Sequence, residues 1–464
     1  MAGTVAGGNE PGPWDCRTLS KVGCRSGTTE EAVVTETDDA TRSANDAGAR
    51  GTDILTGELS GQQLADGVYV LPGQGNSLAI ETDAGVVVVD ASGARHAPHM
   101  IAELRRRTDA PVHAIVYSHG HHGYNAAVDI WQEHNAERGD PPARLIGHER
   151  LVHRMARYRE TAELQTRMLA IQFSSRRQVP LAILAKGLAL HDLTETFSDS
   201  MTVVGGRRPV ELLWAPSETD DALAVWLPVE HMLFGGAATP GFTIPNIGTP
   251  LRTQRLTIRW ADTLDRLAAL DAATLITEFG PLVEGDAVRH QLNETARALR
   301  WLRAEVVKRM NAGMNEHEIL ADMSYPDALF DQAWMRPTYG APDYIVRDLY
   351  REENGWWDRN PTTLHPAAPE AAAAAVRSAI TDPAAVIARA RQLADAGETQ
   401  LALHVIDVLA LDPTDDQYGT EARALKAELS RTRASEVEPF VSKSCYHSSA
   451  RLLDGNNLSW TALP

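Results

Sequence analysis

Three histidines within four positions, directly after a mainly apolar run, constrain this chain more than any other feature. Val112 to Tyr117 reads as a strand, and Ser118-His119-Gly120-His121-His122-Gly123-Tyr124-Asn125 follows it. Side chains of an extended backbone alternate, so His119 and His121 point the same way. Two imidazoles on one side of a strand end form half of a metal site. Glycines at 120 and 123 let the backbone turn closely around an ion. A solvated histidine cluster on a surface loop is the alternative, and three imidazoles beside a buried strand end weigh against it. A second mark is Asp90, which closes the run Val86 to Val89. A carboxylate there is unfavourable without partners. It either orients the histidine loop by hydrogen bonds or simply ends the strand as a turn residue.

The surrounding pattern is α/β. Short apolar runs at 68–71, 77–80, 86–89 and 112–117 are punctuated by Gly and Asp and read as strands. A helix is expected over 99–107, and the long stretch 149–172 is expected to be helical. Further strands are expected at 201–204, 210–213, 223–227, 232–234 and 273–277, with a helix over 253–270 before the last. Beyond about residue 285 the pattern is helical, and Ala384 to Ala396 with Leu401 to Leu411, broken by Gly397, resembles a tetratricopeptide-type helix pair. Too few such units are present to bury their own faces, so they should pack on the first domain or on another subunit. The division expected is a flexible arm over 1–55, a catalytic domain over 56–287, a helical domain over 288–431 and an irregular tail over 432–464.

Charge narrows the partners. The 464 residues carry 44 Lys and Arg against 62 Asp and Glu, a net charge of −18. Phosphate backbones require clustered cations, so nucleic acid is not expected as a partner. No apolar run reaches the ~18 residues of a membrane span. No basic start followed by an apolar block is visible at the N-terminus, and Cys16, Cys24 and Cys445 suggest no disulfide framework. A cytoplasmic protein is expected.

A Val-rich strand ending in Asp, a helix, and a strand ending in S-H-x-H together resemble the metallo-β-lactamase superfamily. Tyr339-Gly340, Val346 to Tyr350, Gly355-Trp356-Trp357-Asp358-Arg359-Asn360-Pro361 and Leu364-His365-Pro366 resemble the dimerization domain of its alkyl sulfatases. The resemblance implies an αββα sandwich followed by an all-α, tetratricopeptide-like dimerization domain, and a homodimer. It also implies ligands for metal. In the family pattern H-x-H-x-D-H, His119 and His121 match the first two histidines, whereas Gly123 and Tyr124 stand at the Asp and the last His. Glu218, in Ser217-Glu218-Thr219, matches a ligating Glu. The family's histidines in S-H-H-W-P fall on Thr277-Glu278-Phe279-Gly280-Pro281, and its further Glu falls in Gly236-Ala237-Ala238-Thr239. The first metal's ligands are thus retained and the second's replaced together.

One divalent metal is therefore expected, zinc first and iron second, since two His with one carboxylate serve both. His122 or Glu278 is the candidate fourth ligand. Asn246-Ile247-Gly248-Thr249-Pro250-Leu251-Arg252 resembles, with a one-residue slip, the stretch that holds the sulfate, so Arg252 or Arg255 is the candidate anion clamp. Tyr124 and Asp90 are the other candidate active-site residues. The reaction expected is attack of metal-activated water on a sulfate or similar ester, with a small anionic substrate. A lyase or iron oxidant on the same fold, or a non-catalytic binding protein, are the competing readings.

Overall fold

The computed structural model describes residues 57–173, 185 and 191–462. The expected N-terminal arm over 1–55 lies outside them. Seven strands form one sheet in the order β1 Gln63–Ala65, β2 Val68–Gly73, β3 Gly75–Thr82, β4 Gly85–Val89, β5 Val112–Val116, β6 Arg144–His148 and β7 Glu195–Phe197. Pairing is antiparallel from β1 to β4 and parallel from β4 to β7. The second sheet has six strands: β8 Ser200–Val204, β9 Val210–Trp214, β10 Leu223–Leu227, β11 Met232–Gly236, β12 Thr274–Thr277 and β13 Leu282–Glu284. All its pairs are antiparallel except β11 with β12.

The alternation of side chains builds the layers. Val87 and Val89 face the second sheet, where Leu223, Val225 and Phe234 meet them. Val86 and Val88 face the other way, onto Met100 and Leu104 of helix Ala97–Arg107 and Trp131 of helix Val128–Arg138. A strand buried on both faces reads as continuous apolar sequence, as this one does. In β10, Leu223 and Val225 point inward while Ala224 and Trp226 point outward to helices Thr257–Ala268 and Asp286–Asn311. Helix, sheet, sheet and helix therefore stack as the αββα sandwich that the resemblance implies.

Helix Asp286–Asn311 shares its core with the second sheet, so the first helical elements are welded to the sandwich. A separate apolar cluster joins helices Pro383–Asp395, Thr399–Ala410 and Gln417–Glu436 through Ile387, Ile406 and Leu425. Among the described residues no single helix is long and apolar enough to cross a membrane.

One expectation is refined, one is corrected, and several elements are not among those expected. The stretch over 149–172 is helical as expected, divided into two helices, Arg150–Glu160 and Ala162–Phe173. Thr161 leaves helical geometry and its hydroxyl donates to the Arg157 carbonyl at 2.7 Å, competing with the helical ladder. The tail over 432–464 is not irregular, because helix Gln417–Glu436 runs into it and Phe440–Asp454 is a full helix. Its serine-rich composition hides the helical pattern, and burial of Val441, Ser444, Ser448 and Leu452 secures it. Helix Val128–Arg138 and the strands β1, β6, β7 and β13 carry too weak a periodicity to be read from sequence.

Candidate metal centre and active site

The parallel strands bring their carboxyl ends to one edge, the usual place for a site in such sheets. β4 delivers Asp90 there and β5 delivers Ser118 to Tyr124. Asp90 and Ser92 both adopt left-handed backbone, φ 65° and 61°, which costs about 1–3 kcal/mol for each non-glycine residue. Fixed hydrogen bonds hold the turn against that cost. Asp90 Oδ1 accepts from the Ser118 N–H and from Asn125 Nδ2, each at 2.9 Å, while Asn125 Oδ1 accepts from the Ala91 N–H. Burial pushes the Asp90 carboxyl up to about 6, against the lowering effect of these donors. Asp90 thus orients the histidine loop and does not line the cavity, and of the two sequence readings the positioning one fits. As an active-site residue it is corrected to a support for Ser118 and Asn125.

The loop presents its imidazoles as expected. His119 Nε2 lies 3.0 Å from His121 Nδ1, and His119 Nδ1 lies 2.9 Å from Ser118 Oγ. Glu218, on the turn between β9 and β10, brings Oε1 to 3.7 Å from His121 Nδ1. One donor atom from each of the three residues falls within 4.8 Å of the others. A tetrahedral ion with ligands at about 2.1 Å needs them about 3.4 Å apart, so the trio fits a metal with small adjustments. Burial lowers the proton affinity of both imidazoles, that of His119 to about 4, and this leaves them neutral with lone pairs free to ligate.

The two candidate fourth ligands separate. Glu278, at the end of β12, brings Oε1 within 3.8 Å of His119 Nε2. That same oxygen accepts a 2.5 Å hydrogen bond from Tyr124, and Oε2 is buried without a partner. Burial first, then the Glu218 charge, raise the Glu278 carboxyl well above the usual range. The Tyr124 hydroxyl is raised as well, by burial and by Glu278. His122 turns away from the trio: its ring lies against Tyr158, centroids 4.2 Å apart, though it still borders the cavity. Its place in the coordination sphere is not supported by this geometry.

The positions where the resemblance puts the second metal's ligands are filled by protein. Tyr124 and Glu278 bond to each other. Gly123, at φ 90°, has a backbone conformation that side chains rarely adopt, and an added Cβ would push against the amide end of Gln74, which would have to move. Gln74 is fixed by its own Nε2 donating to the His122 carbonyl at 3.2 Å.

The arginines also part company. Arg255 is 6% exposed, so it is no solvated helix-start residue. Its Nη1 lies 3.1 Å from Glu218 Oε1 and also donates to the Asn246 carbonyl, and its backbone N–H donates to Asp348 at 3.1 Å. Arg255 therefore clamps the metal-site carboxylate. Arg252 borders the cavity and donates to Gln172 Oε1, whose Nε2 donates to the Tyr339 hydroxyl.

Several residues here are not legible as site residues in the sequence. Asp221 Oδ2 accepts from the Gly120 N–H at 2.6 Å and pairs with Arg154, fixing the turn between the two metal-site histidines. The Asp220-Asp221 pair beside Glu218 is the only sequence signal for it. Gln74, Gln172 and Tyr339 come from distant parts of the chain and carry no signal. The cavity encloses about 250 Å³, with His121, Glu218 and Arg252 at its polar side and Leu169, Phe173 and Phe242 among its apolar walls.

Residues 70–278 match the model of the metallo-beta-lactamase superfamily, and residues 315–456 match that of alkyl sulfatase dimerisation. The chain is homologous to the alkylsulfatases. A linear primary-alkylsulfatase of a Pseudomonas species is 27% identical over 308 residues, 62% of this chain and 58% of that protein. An (R)-specific secondary-alkylsulfatase of Pseudomonas is 26% identical over 399 residues, 81% of this chain and 59% of that protein. The chain thus spans less than two thirds of the length of either alkylsulfatase. The structure of the stereoselective inverting sec-alkylsulfatase Pisa1 from Pseudomonas superposes with a TM-score of 0.72 at 21% identity, covering 84% of this chain and 65% of that one. That likeness fixes the alkylsulfatase fold, sandwich and helical domain together. The alkyl sulfatase dimerisation match reaches residue 456 and so takes in helix Phe440–Asp454.

Proposed function

We propose that this chain is a metal-dependent hydrolase of anionic esters, of the sulfate-ester type, working with a single metal ion. The observation that carries the reading is a two-His, one-carboxylate trio at one side of a largely apolar cavity that also holds an arginine. A divalent ion held there supplies Lewis acidity and makes a nucleophile of water near neutral pH. The protein's own groups do the rest. Arg252 offers a guanidinium to the anionic end of the substrate, charge that an acidic protein must supply locally. The apolar walls receive the remainder of the substrate and exclude water. Asp90, Asp221 and Arg255 hold the histidine loop and Glu218 in place. The Tyr124 ring stands beside His119 at the cavity with its hydroxyl donating to Glu278 Oε1, and it can exchange that bond for one to a substrate oxygen. The Tyr124–Glu278 pair and the Gln74 amide that crowds Gly123 support one ion rather than two.

The test combines metal analysis with sulfate release from alkyl sulfates. One zinc per chain with release supports the proposal, and two tightly bound ions refute its single-metal part. One iron without release supports the oxidant reading, which the same donor set would serve. In the same assay Tyr124→Phe should lower turnover about 10-fold or more with unchanged metal content. Unchanged turnover would leave Tyr124 as packing that fills the cavity floor.

We also propose that the chain self-associates through its helical C-terminal half, as its match to a dimerisation domain suggests. Sedimentation equilibrium should give twice the chain mass. A monomer at every concentration would refute it.

A further inference from the structure

Two walls of the cavity are not set by the sandwich. Leu169 and Phe173 come from helix Ala162–Phe173, and Tyr339 comes from the loop before helix Pro342–Asn354. Behind them lies helix Phe440–Asp454. Its first residue, Phe440, is anchored by its backbone N–H donating to the Thr338 carbonyl at 2.8 Å. The Phe440 ring stacks on Tyr339, with centroids 6.3 Å apart and planes 12° from parallel, and meets Phe173 at 6.0 Å. Small buried residues at 444 and 448 let the helix lie close to its neighbour, and Ser448 Oγ donates to the Ile171 carbonyl at 3.3 Å. Tyr344, on the next helix, bonds Ser442. Phe440 does not border the cavity itself. It touches two of the aromatic rings that do, Phe173 and Tyr339, and Tyr339 in turn is bonded to Gln172, which holds Arg252.

We infer that Phe440 is a positioning residue that sets the size of the cavity's apolar limb, so that the C-terminal helix governs how long an apolar substituent the site accepts. This rests on the reading of the cavity as the substrate site. Removing the ring lets Phe173 and Tyr339 relax into the vacated space, because packed side chains collapse only partly around a cavity and lose their fixed positions. Contacts to a long apolar chain then weaken, while a short one that touches only the polar side is little affected.

The test uses metal-loaded full-length protein, calorimetric titration, and three probes: 1-butanesulfonate, 1-decanesulfonate and neutral 1-decanol. Phe440→Ala should weaken decanesulfonate and decanol by roughly ten-fold and butanesulfonate by less than about two-fold. Phe440→Leu, which keeps most of the apolar volume, should lie between wild type and alanine and guards against a fold that fails in the alanine variant. An equal loss for short and long sulfonates in both variants, or no loss, overturns the inference. If wild type binds decanol but neither sulfonate, and Phe440→Ala weakens decanol, the positioning role stands and the anionic-substrate reading falls. If wild type binds none of the three, the inference falls with it.

Discussion

Replacing both His119 and His121 by alanine is expected to abolish metal binding and to lower sulfate-ester turnover by at least about 10³-fold. The two ring nitrogens face each other at 3.0 Å and leave Glu218 alone when removed. The unpartnered Glu278 Oε2 is a nearby oxygen, but it does not replace two imidazoles. Glu278 Oε1 is engaged by Tyr124, and the His122 ring lies against Tyr158 rather than toward the trio. The fold should survive, since both rings sit on a loop at the sheet edge and the core clusters do not include them. Metal analysis after dialysis, with a far-ultraviolet spectrum as the control for folding, checks it. Stoichiometric retention of metal in the double variant would rule out this trio as the binding site.

Arg255→Ala should destabilise the chain by about 3–5 kcal/mol, the usual result of removing one partner from a buried ion pair. The guanidinium is buried between Glu218, the Asn246 carbonyl and the loop anchored on Asp348. Without it the Glu218 carboxylate keeps a single close donor, Asn246 Nδ2 at 2.5 Å. Metal affinity should therefore fall along with the denaturation midpoint. A domain's total stability is only about 5–15 kcal/mol, so a large shift in the midpoint is expected. Arg252→Ala is the contrasting case. It borders the cavity and its guanidinium bonds the uncharged side chains of Gln172 and Tyr339 rather than a buried carboxylate, so its loss should raise KM with little change in stability or metal content. If Arg255→Ala left both the midpoint and the metal affinity unchanged while raising KM, Arg255 would be the anion clamp instead.

The sequence by itself determined most of the strand skeleton and the polar heart of the site. Four consecutive valines read as a strand, and the structure buries that strand on both faces and ends it at Asp90. Two histidines spaced by one residue after β5 must share a side, and they do. Glu218 was found by resemblance, and its distance from His121 agrees. What only the tertiary structure decided is how distant residues meet. Arg252 and Arg255 are three positions apart and chemically alike. One reaches the cavity and the other is buried against Glu218, because the turn before helix Thr257–Ala268 is pinned to Asp348 from another domain. The Tyr124–Glu278 bond joins residues far apart in the chain, and neither residue type announces the other. Helix Phe440–Asp454 shows the same limit for secondary structure. Its serines have weak local preference for a helix, and burial against helix Ala162–Phe173 supplies what propensity does not. Local pattern fixes which face a side chain takes, while long-range packing fixes what it faces. A catalytic site depends mostly on the second.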